Sequence, residues 1–185
     1  MRVIGGTARG RRLKSPPAGV RATTDLVRGA IFDALAAQGA DLSRVLDLYA
    51  GSGALGIEAL SRGDGTGDFV ELNAGAAAVI AENLRLTGLD GRAKVHRLAV
   101  AGAAERLEGA YSLLLADPPY DDEAALGVLD GLARTGLVGP GATFVLEVSS
   151  RREAPPALGP LTLAWSRRHG DTRVGIYRRE GGGTP

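Results

Sequence analysis

The stretch VLDLYAGSGALGIEAL, Val45 to Leu60, decides the fold. Val45, Leu46 and Leu48 form the short apolar run of a buried strand, and Gly51, Gly53 and Gly56 permit a tight turn with close approach to a ligand. Leu55, Ile57, Ala59 and Leu60 then carry a helical apolar pattern. A strand feeding a glycine turn and a helix N-terminus makes a nucleotide-type site, because the unpaired N–H groups there point at whatever lies above the strand end.

Outward from this unit, the pattern predicts strands alternating with helices. Downstream, Asp68 to Leu72 reads as a second strand ending in Glu71, followed by a helix over Ala74 to Leu86. A third strand over Lys94 to Leu98 and a short helix over Ala101 to Leu107 come next. Tyr111 to Ala116 is a fully apolar strand that stops at Asp117-Pro118-Pro119-Tyr120. A helix over Glu123 to Arg134 leads through Gly139-Pro140-Gly141 to a strand over Thr143 to Val148, and Leu161 to Trp165 and Arg173 to Tyr177 supply two more. Upstream, Thr23 or Thr24 caps a helix whose apolar stripe is Val27, Ala30, Ile31, Ala34 and Leu35. The expectation is a Rossmann-like α/β domain over residues 21–179. Its seven-stranded, mostly parallel sheet carries helices on both faces and an antiparallel pair at one edge. Residues 1–20 read as a small basic N-terminal extension with short extended pieces at Val3-Ile4 and Arg11 to Lys14, and residues 180–185 as a disordered tail.

Composition narrows the class. The 185 residues, 44% hydrophobic, suffice for one domain with a substantial core. No apolar run of about 18 residues is available to span a bilayer, MRVIGGTARGRRL is no secretory signal, and cysteine is absent. A soluble, cytoplasmic protein is expected. With only His96 and His169, no metal centre is expected. The net charge of +1 hides a gradient: residues 1–28 balance to +6, residues 29–150 to −9 and residues 151–185 to +4. Basic ends on an acidic middle suit a phosphate-bearing partner, although solvated surface charge explains them equally well. Arg2, Arg9, Arg11, Arg12 and Lys14 array cations without a balancing acid, and Arg21, Thr23 and Arg28 lie near the start of the first helix.

Gly51-x-Gly53-x-x-Gly56 with Glu71 about 20 residues on fits a dinucleotide fingerprint and, alone, an NAD-dependent oxidoreductase. Asp47 does not suit that reading, since a carboxylate near a pyrophosphate repels it. It makes better sense beneath a cationic ligand, and D-x-x-x-G-x-G looks like the first motif of class I S-adenosylmethionine (SAM)-dependent methyltransferases. Glu71 would then bind ribose hydroxyls. The plainer readings are a helix-capping aspartate and a surface glutamate.

Asp117-Pro118-Pro119-Tyr120 closes its strand at the same sheet edge as the glycine turn. It resembles the (D/N)-P-P-(Y/F) signature of methyltransferases acting on planar amino nitrogens, whose delocalised lone pair is a poor nucleophile. Asp117 and the Pro118 carbonyl would accept the amino hydrogens, two prolines would stiffen the turn, and Tyr120 would stack on a flat base.

With MRVIGGTARGRRL, RATTDLVRGAIFDAL, VLDLYAGSGALGIEALSRG, FVEL, ADPPY and the late GDTR (Gly170 to Arg173), the chain resembles the RsmD family of bacterial 16S ribosomal RNA guanine-N2 methyltransferases almost end to end. The resemblance implies SAM as donor, S-adenosylhomocysteine as product and no metal. It further implies 16S rRNA, within an assembling small subunit, as partner of a monomer. By position it assigns Asp47, Gly51, Gly53 and Glu71, with Tyr49, Ser52 and Leu72 beside them, to SAM, and Asp117 to Tyr120 to catalysis. The N-terminal arginines, Lys14, Arg21, Thr23 and Arg28 would serve RNA. The chain departs from the family at Ala22 (often proline), Gly29 (usually glutamate), Asp33 (commonly asparagine), Asn73 (often an acid) and His169 (usually tyrosine). Alternatives are methylation of adenine N6 or protein glutamine, and a non-catalytic RNA-binding assembly factor.

Overall fold

The structure, a computed structural model, describes residues 1–15 and 24–179. Helix α1 (Asp25–Ala37) opens at Thr24, whose hydroxyl accepts the Val27 N–H at 3.3 Å. Then follow β1 (Arg44–Leu48), α2 (Ala54–Arg62), β2 (Thr66–Val70), α3 (Ala74–Thr87), β3 (Ala93–His96), α4 (Ala103–Arg106) and β4 (Tyr111–Ala116). The rest is α5 (Ala125–Ala133), β5 (Val138–Ser149), β6 (Ala157–Leu158), β7 (Leu161–His169) and β8 (Thr172–Arg178). One sheet runs β3-β2-β1-β4-β5-β8-β7-β6, with β1 to β5 parallel and β8, β7 and β6 joining antiparallel. This is the expected α/β methyltransferase architecture. No helix among the described residues is long and apolar enough to cross a membrane.

The near-continuous apolarity of β1 and β4 reflects burial on both faces. Leu113 and Leu115 pack with Ile31, Leu35, Ile57 and Ile80 of α1, α2 and α3, while Leu114 and Ala116 pack with Ala103, Leu129 and Leu132 of α4 and α5. Helix α2 is buried from Ala54 to Ser61, which explains why its apolar residues do not keep to one stripe.

Several expectations are corrected. Among the described residues the sheet has eight strands rather than seven. The extra β6 spans two residues beside the prolines of the preceding loop, too few to leave a periodic signal. Strand β5 begins at Val138 and runs through Gly139-Pro140-Gly141. The irregularity is absorbed by a register shift, since Tyr111 pairs with Val138 but Leu113 with Thr143. Strand β2 ends at Val70, leaving Glu71 and Leu72 on the following loop. The short helix expected over Ala101 to Leu107 is a 3-10 turn, Val100–Gly102, running into α4.

The N-terminal segment packs into the domain. Val3, Ala8 and Leu13 belong to the α1–α2–α3 core. An Arg2–Arg12 bridge, with Val3 N–H donating to Arg11 O at 3.0 Å, replaces the two expected extended pieces. Gly6 adopts φ +75°, and a Cβ there would lie 1.7 Å from Ser61 O, so only glycine lets the segment approach α2 this closely. The expected boundary at residue 20 and the tail at 180–185 lie outside the described residues.

Candidate active site

After β1 the backbone turns sharply: Tyr49, Gly51 and Gly53 take φ of 55°, 57° and 76°. For a tyrosine this left-handed conformation costs roughly 1–2 kcal/mol, and such strain concentrates at functional sites. Gly56 serves packing instead, since a Cβ there would stand 2.4 Å from the Phe69 ring of β2. Asp47, 1% exposed, accepts the Gly56 N–H on Oδ2 at 2.8 Å. The carboxylate therefore caps α2 from within, beneath the glycine turn, and is not among the residues lining the cavity. Burial raises its pKa well above the usual carboxylate range. The Gly56 N–H opposes that shift, and the Asp117 and Glu71 charges reinforce it. Three acids thus gather at the ends of β1, β2 and β4, of which Glu71 and Asp117 line the cavity.

Glu71 holds the turn from β2. Its Oε2 accepts Gly51 N–H at 2.8 Å and its Oε1 accepts Asn73 N–H at 2.7 Å. Each oxygen retains a second lone pair for a hydroxyl donor. Asn73 caps α3 by accepting Ala76 N–H at 3.0 Å, a role the acid common in the family would also fill.

A cavity of about 710 Å³ lies along this edge, lined by Tyr49, Glu71, Leu72 and all of Asp117 to Tyr120. Its volume falls in the range of cofactor-sized sites. Val70, Leu98, Ala99 and Val100 supply apolar walls suited to a flat ring. Leu98 to Ala101, Asp121, Asp122 and Val128 carry no motif, and the sequence reading missed them as lining residues. The available signal was positional: residues just after β3 must sit at the same sheet edge. Gly51, Ser52 and Gly53 are buried and do not line the cavity. Ser52 Oγ meets Met1 Sδ at 3.5 Å, and Ser52 O accepts Asn83 Nδ2 at 2.9 Å. Burial, with the nearby Asp122 charge, pushes the Tyr49 hydroxyl up to about 12, so it stays protonated.

At the end of β4, Tyr120 Oη lies 2.9 Å from Thr172 Oγ1 of β8. Thr172 is buried, and β8 pairs it with Ser149 of β5. The aromatic face expected to stack is therefore fixed from across the sheet. Fully buried Glu147 lines a narrow cleft beside Pro118, Pro119 and Tyr120. Glu147 was not singled out in the sequence, and Thr172 entered only as part of the GDTR stretch with no role assigned, because strand pairing alone brings them to the turn.

Arg2, Arg9, Arg11, Arg12 and Lys14 are exposed, and Lys14 pairs with Glu82. Arg28 is not available to RNA, which corrects its assignment. It is fully buried, 2.8 Å from Asp25 and 3.6 Å from Glu58, and donates to Arg2 O. Burial of an arginine demands such partners, so Arg28 fastens the N-terminal segment to α1 and α2. Arg21, Thr23 and the departure at Ala22 lie outside the described residues.

A family model described as conserved hypothetical protein 95 matches residues 1–178. The chain belongs to the RsmD family. Among similar members, the Bacillus subtilis protein named "Putative rRNA methyltransferase YlbH" is 36% identical over 98% of this chain and 100% of its own. The Escherichia coli K12 ribosomal RNA small subunit methyltransferase D is 29% identical over 99% and 92%. A solved Escherichia coli structure, "Putative methyltransferase yhhF", superposes with TM-score 0.83 at 30% identity, over 97% of this chain and 98% of that one. The RsmD match covers the N-terminal segment, the glycine turn, Asp117 to Tyr120 and the closing hairpin alike.

Proposed function

We propose that this protein transfers a methyl group from SAM to the exocyclic N2 amino group of a guanine in 16S rRNA, in the cytoplasm and during small-subunit assembly. The observation that carries the reading is the joint placement of Glu71 and Asp117-Pro118-Pro119-Tyr120 on one cavity of about 710 Å³. Family membership and relatives named as rRNA methyltransferases support the class of reaction.

The residues present fit SAM. Glu71 keeps lone pairs for ribose hydroxyls, the walls after β3 suit adenine, and the acids on the cavity, Glu71 and Asp117, favour a cation. Bound SAM supplies a methyl group made electrophilic by its sulfonium. In the chain's own part of the reaction, Asp117 and the Pro118 carbonyl accept the two amino hydrogens and so aim the nitrogen lone pair. Positive charge that develops on the nitrogen as it takes the methyl group would lie beside the Asp117 carboxylate, and the N–H proton it then releases would pass to Asp117 or to water, with S-adenosylhomocysteine as the leaving product. Tyr120, fixed by Thr172, gives the base a stacking face worth about 1–3 kcal/mol. A guanine inside folded RNA must be splayed out to reach it.

The test is labelled-methyl transfer to 16S rRNA and to small-subunit particles, with the product nucleoside identified by mass. N2-methylguanosine is the expected product. Methyladenosine, or label in protein, would overturn the substrate assignment.

A further inference from the structure

Arg9 and Arg11 of the N-terminal segment are not the cations beside the catalytic turn. That segment turns back at Gly6 to Arg11, where Thr7 N–H donates to Ser61 O at 2.7 Å and Arg11 donates to Leu86 O at 2.9 Å. Ser61 and Leu86 lie in the last turns of α2 and α3, whose N-terminal ends face the cavity edge. Along the 14 residues of α3 the separation is about 20 Å. Arg9 and Arg11 therefore sit toward the opposite edge of the sheet from Tyr120.

A second basic region lies at the reactive edge. The loop after β5 carries exposed Arg151 and Arg152, and Arg152 lines the narrow cleft with Pro118, Pro119 and Tyr120. The β7–β8 hairpin adds exposed Arg168, whose register partner is Arg173. Strand alternation puts those two side chains on one face. Arg173 binds the loop, donating to Arg152 O at 3.1 Å and to Glu153 at 2.8 Å. Ser150 N–H donates to Asp171 O at 2.8 Å. Loop and hairpin are thereby one body, and the Thr172–Tyr120 contact ties that body to the catalytic turn. In the strand order, β4 separates this lip from the α3 side where the N-terminal segment packs.

We propose that Arg151, Arg152 and Arg168 form a second RNA-backbone site that holds phosphates flanking the target nucleotide, beside the catalytic turn and apart from the N-terminal arginines. Arg173 positions the lip by holding Arg152 and Glu153, and Thr172 keeps the lip in register with Tyr120. The inference rests on the RNA-methyltransferase reading. It assigns the net positive charge of residues 151–185 a place in substrate binding.

The experiment measures full-length protein binding to a 16S rRNA transcript across a salt series, for wild type and for R151Q/R152Q/R168Q. Calorimetric SAM affinity and melting temperature monitor the fold. The expected result is weaker RNA binding with a log Kd versus log salt slope reduced by about 2–3, one ion contact per arginine removed, and a raised KM for RNA with SAM affinity kept. R151K/R152K/R168K should restore the slope. If the triple variant misfolds, R151E alone should still weaken RNA binding. Wild-type RNA binding with an unchanged slope in the variants would overturn the lip alone. Affinity lost for a protein-containing particle but not for bare RNA would also overturn it, marking a protein partner. A wild-type protein without salt-dependent RNA affinity would overturn the lip and the proposed substrate together. RNA binding without methyl transfer would overturn the substrate reading and leave the lip standing.

Discussion

Glu58 is the residue on which the N-terminal segment hangs, and E58Q tests this. The side chain is fully buried in α2. Its Oε2 accepts Ile4 N–H at 2.8 Å, and its Oε1 accepts both Gly5 N–H and Arg62 Nε–H at 2.8 Å. Arg28, also fully buried, lies 3.6 Å from Oε2. A glutamine keeps the volume but offers one acceptor oxygen, and its amide nitrogen must face a donor. Leaving one buried N–H unsatisfied costs about 1–3 kcal/mol, and breaking a buried ion pair costs about 3–5 kcal/mol. These terms do not simply add, because Asp25 still pairs Arg28 and the partly exposed Arg62 can turn to water. The expected loss is about 3–5 kcal/mol, read as a lowered urea midpoint at unchanged slope. Native-state trypsin should also cut faster at the exposed Arg9, Arg11 and Arg12, because the segment detaches before the domain unfolds. A loss below about 1 kcal/mol with unaltered cleavage would refute the reasoning.

D117A should reduce methyl transfer about 10²–10³-fold while SAM affinity, read by calorimetry, is kept; wild-type turnover would remove Asp117 from the mechanism. T172V deletes the hydroxyl that meets Tyr120, a bond worth about 0.5–1.5 kcal/mol, and should slow transfer about 2- to 10-fold at unchanged SAM affinity, with T172S restoring the rate. For Asp47, whose folded pKa is raised above the unfolded value, stability is lost as pH rises from about 4 through the folded pKa. The stability gain of D47N over wild type should therefore be near zero at the acid end, grow upward from about pH 4, and appear in melting curves taken across that range; a gain independent of pH would sink this. G29A should stabilise the protein by up to about 1 kcal/mol, since a Cβ there meets only Ile4 Cδ1 at 3.9 Å; a lower melting temperature would show that α1 needs this glycine.

How far the molecule was legible in its sequence followed from how local each determinant is. Strand β4 was read to the residue, because the run Tyr111 to Ala116, counted as apolar throughout despite Ser112, stops at Asp117 and the proline pair after it. Strand β6 was not, because a two-residue ladder exists only through its partner. The cavity's polar poles, Glu71 and Asp117, were legible because fixed spacing from a glycine turn and a strand end places them. Asp47 was legible as important with two roles open: sequence spacing puts it below the ligand site, and the Gly56 N–H contact adds the helix-capping use that spacing alone did not decide. The same distinction governs the arginines. Composition counts a cation wherever one occurs, whereas RNA can use only those left in solvent near the reacting base. Arg28, grouped by sequence with the RNA-facing residues, is consumed by Glu58 and Asp25. Arg9 and Arg11 remain exposed at the opposite edge of the sheet, where only an RNA extending across that distance reaches them. Arg152, which no motif marks, stands in the cleft beside Tyr120 because β5 runs parallel to β4 and ends at the same edge, where Arg173 of the antiparallel β8 holds the Arg152 carbonyl. On the proposed RNA-binding reading, the closing hairpin sets which phosphates lie next to the target base as well as completing the sheet.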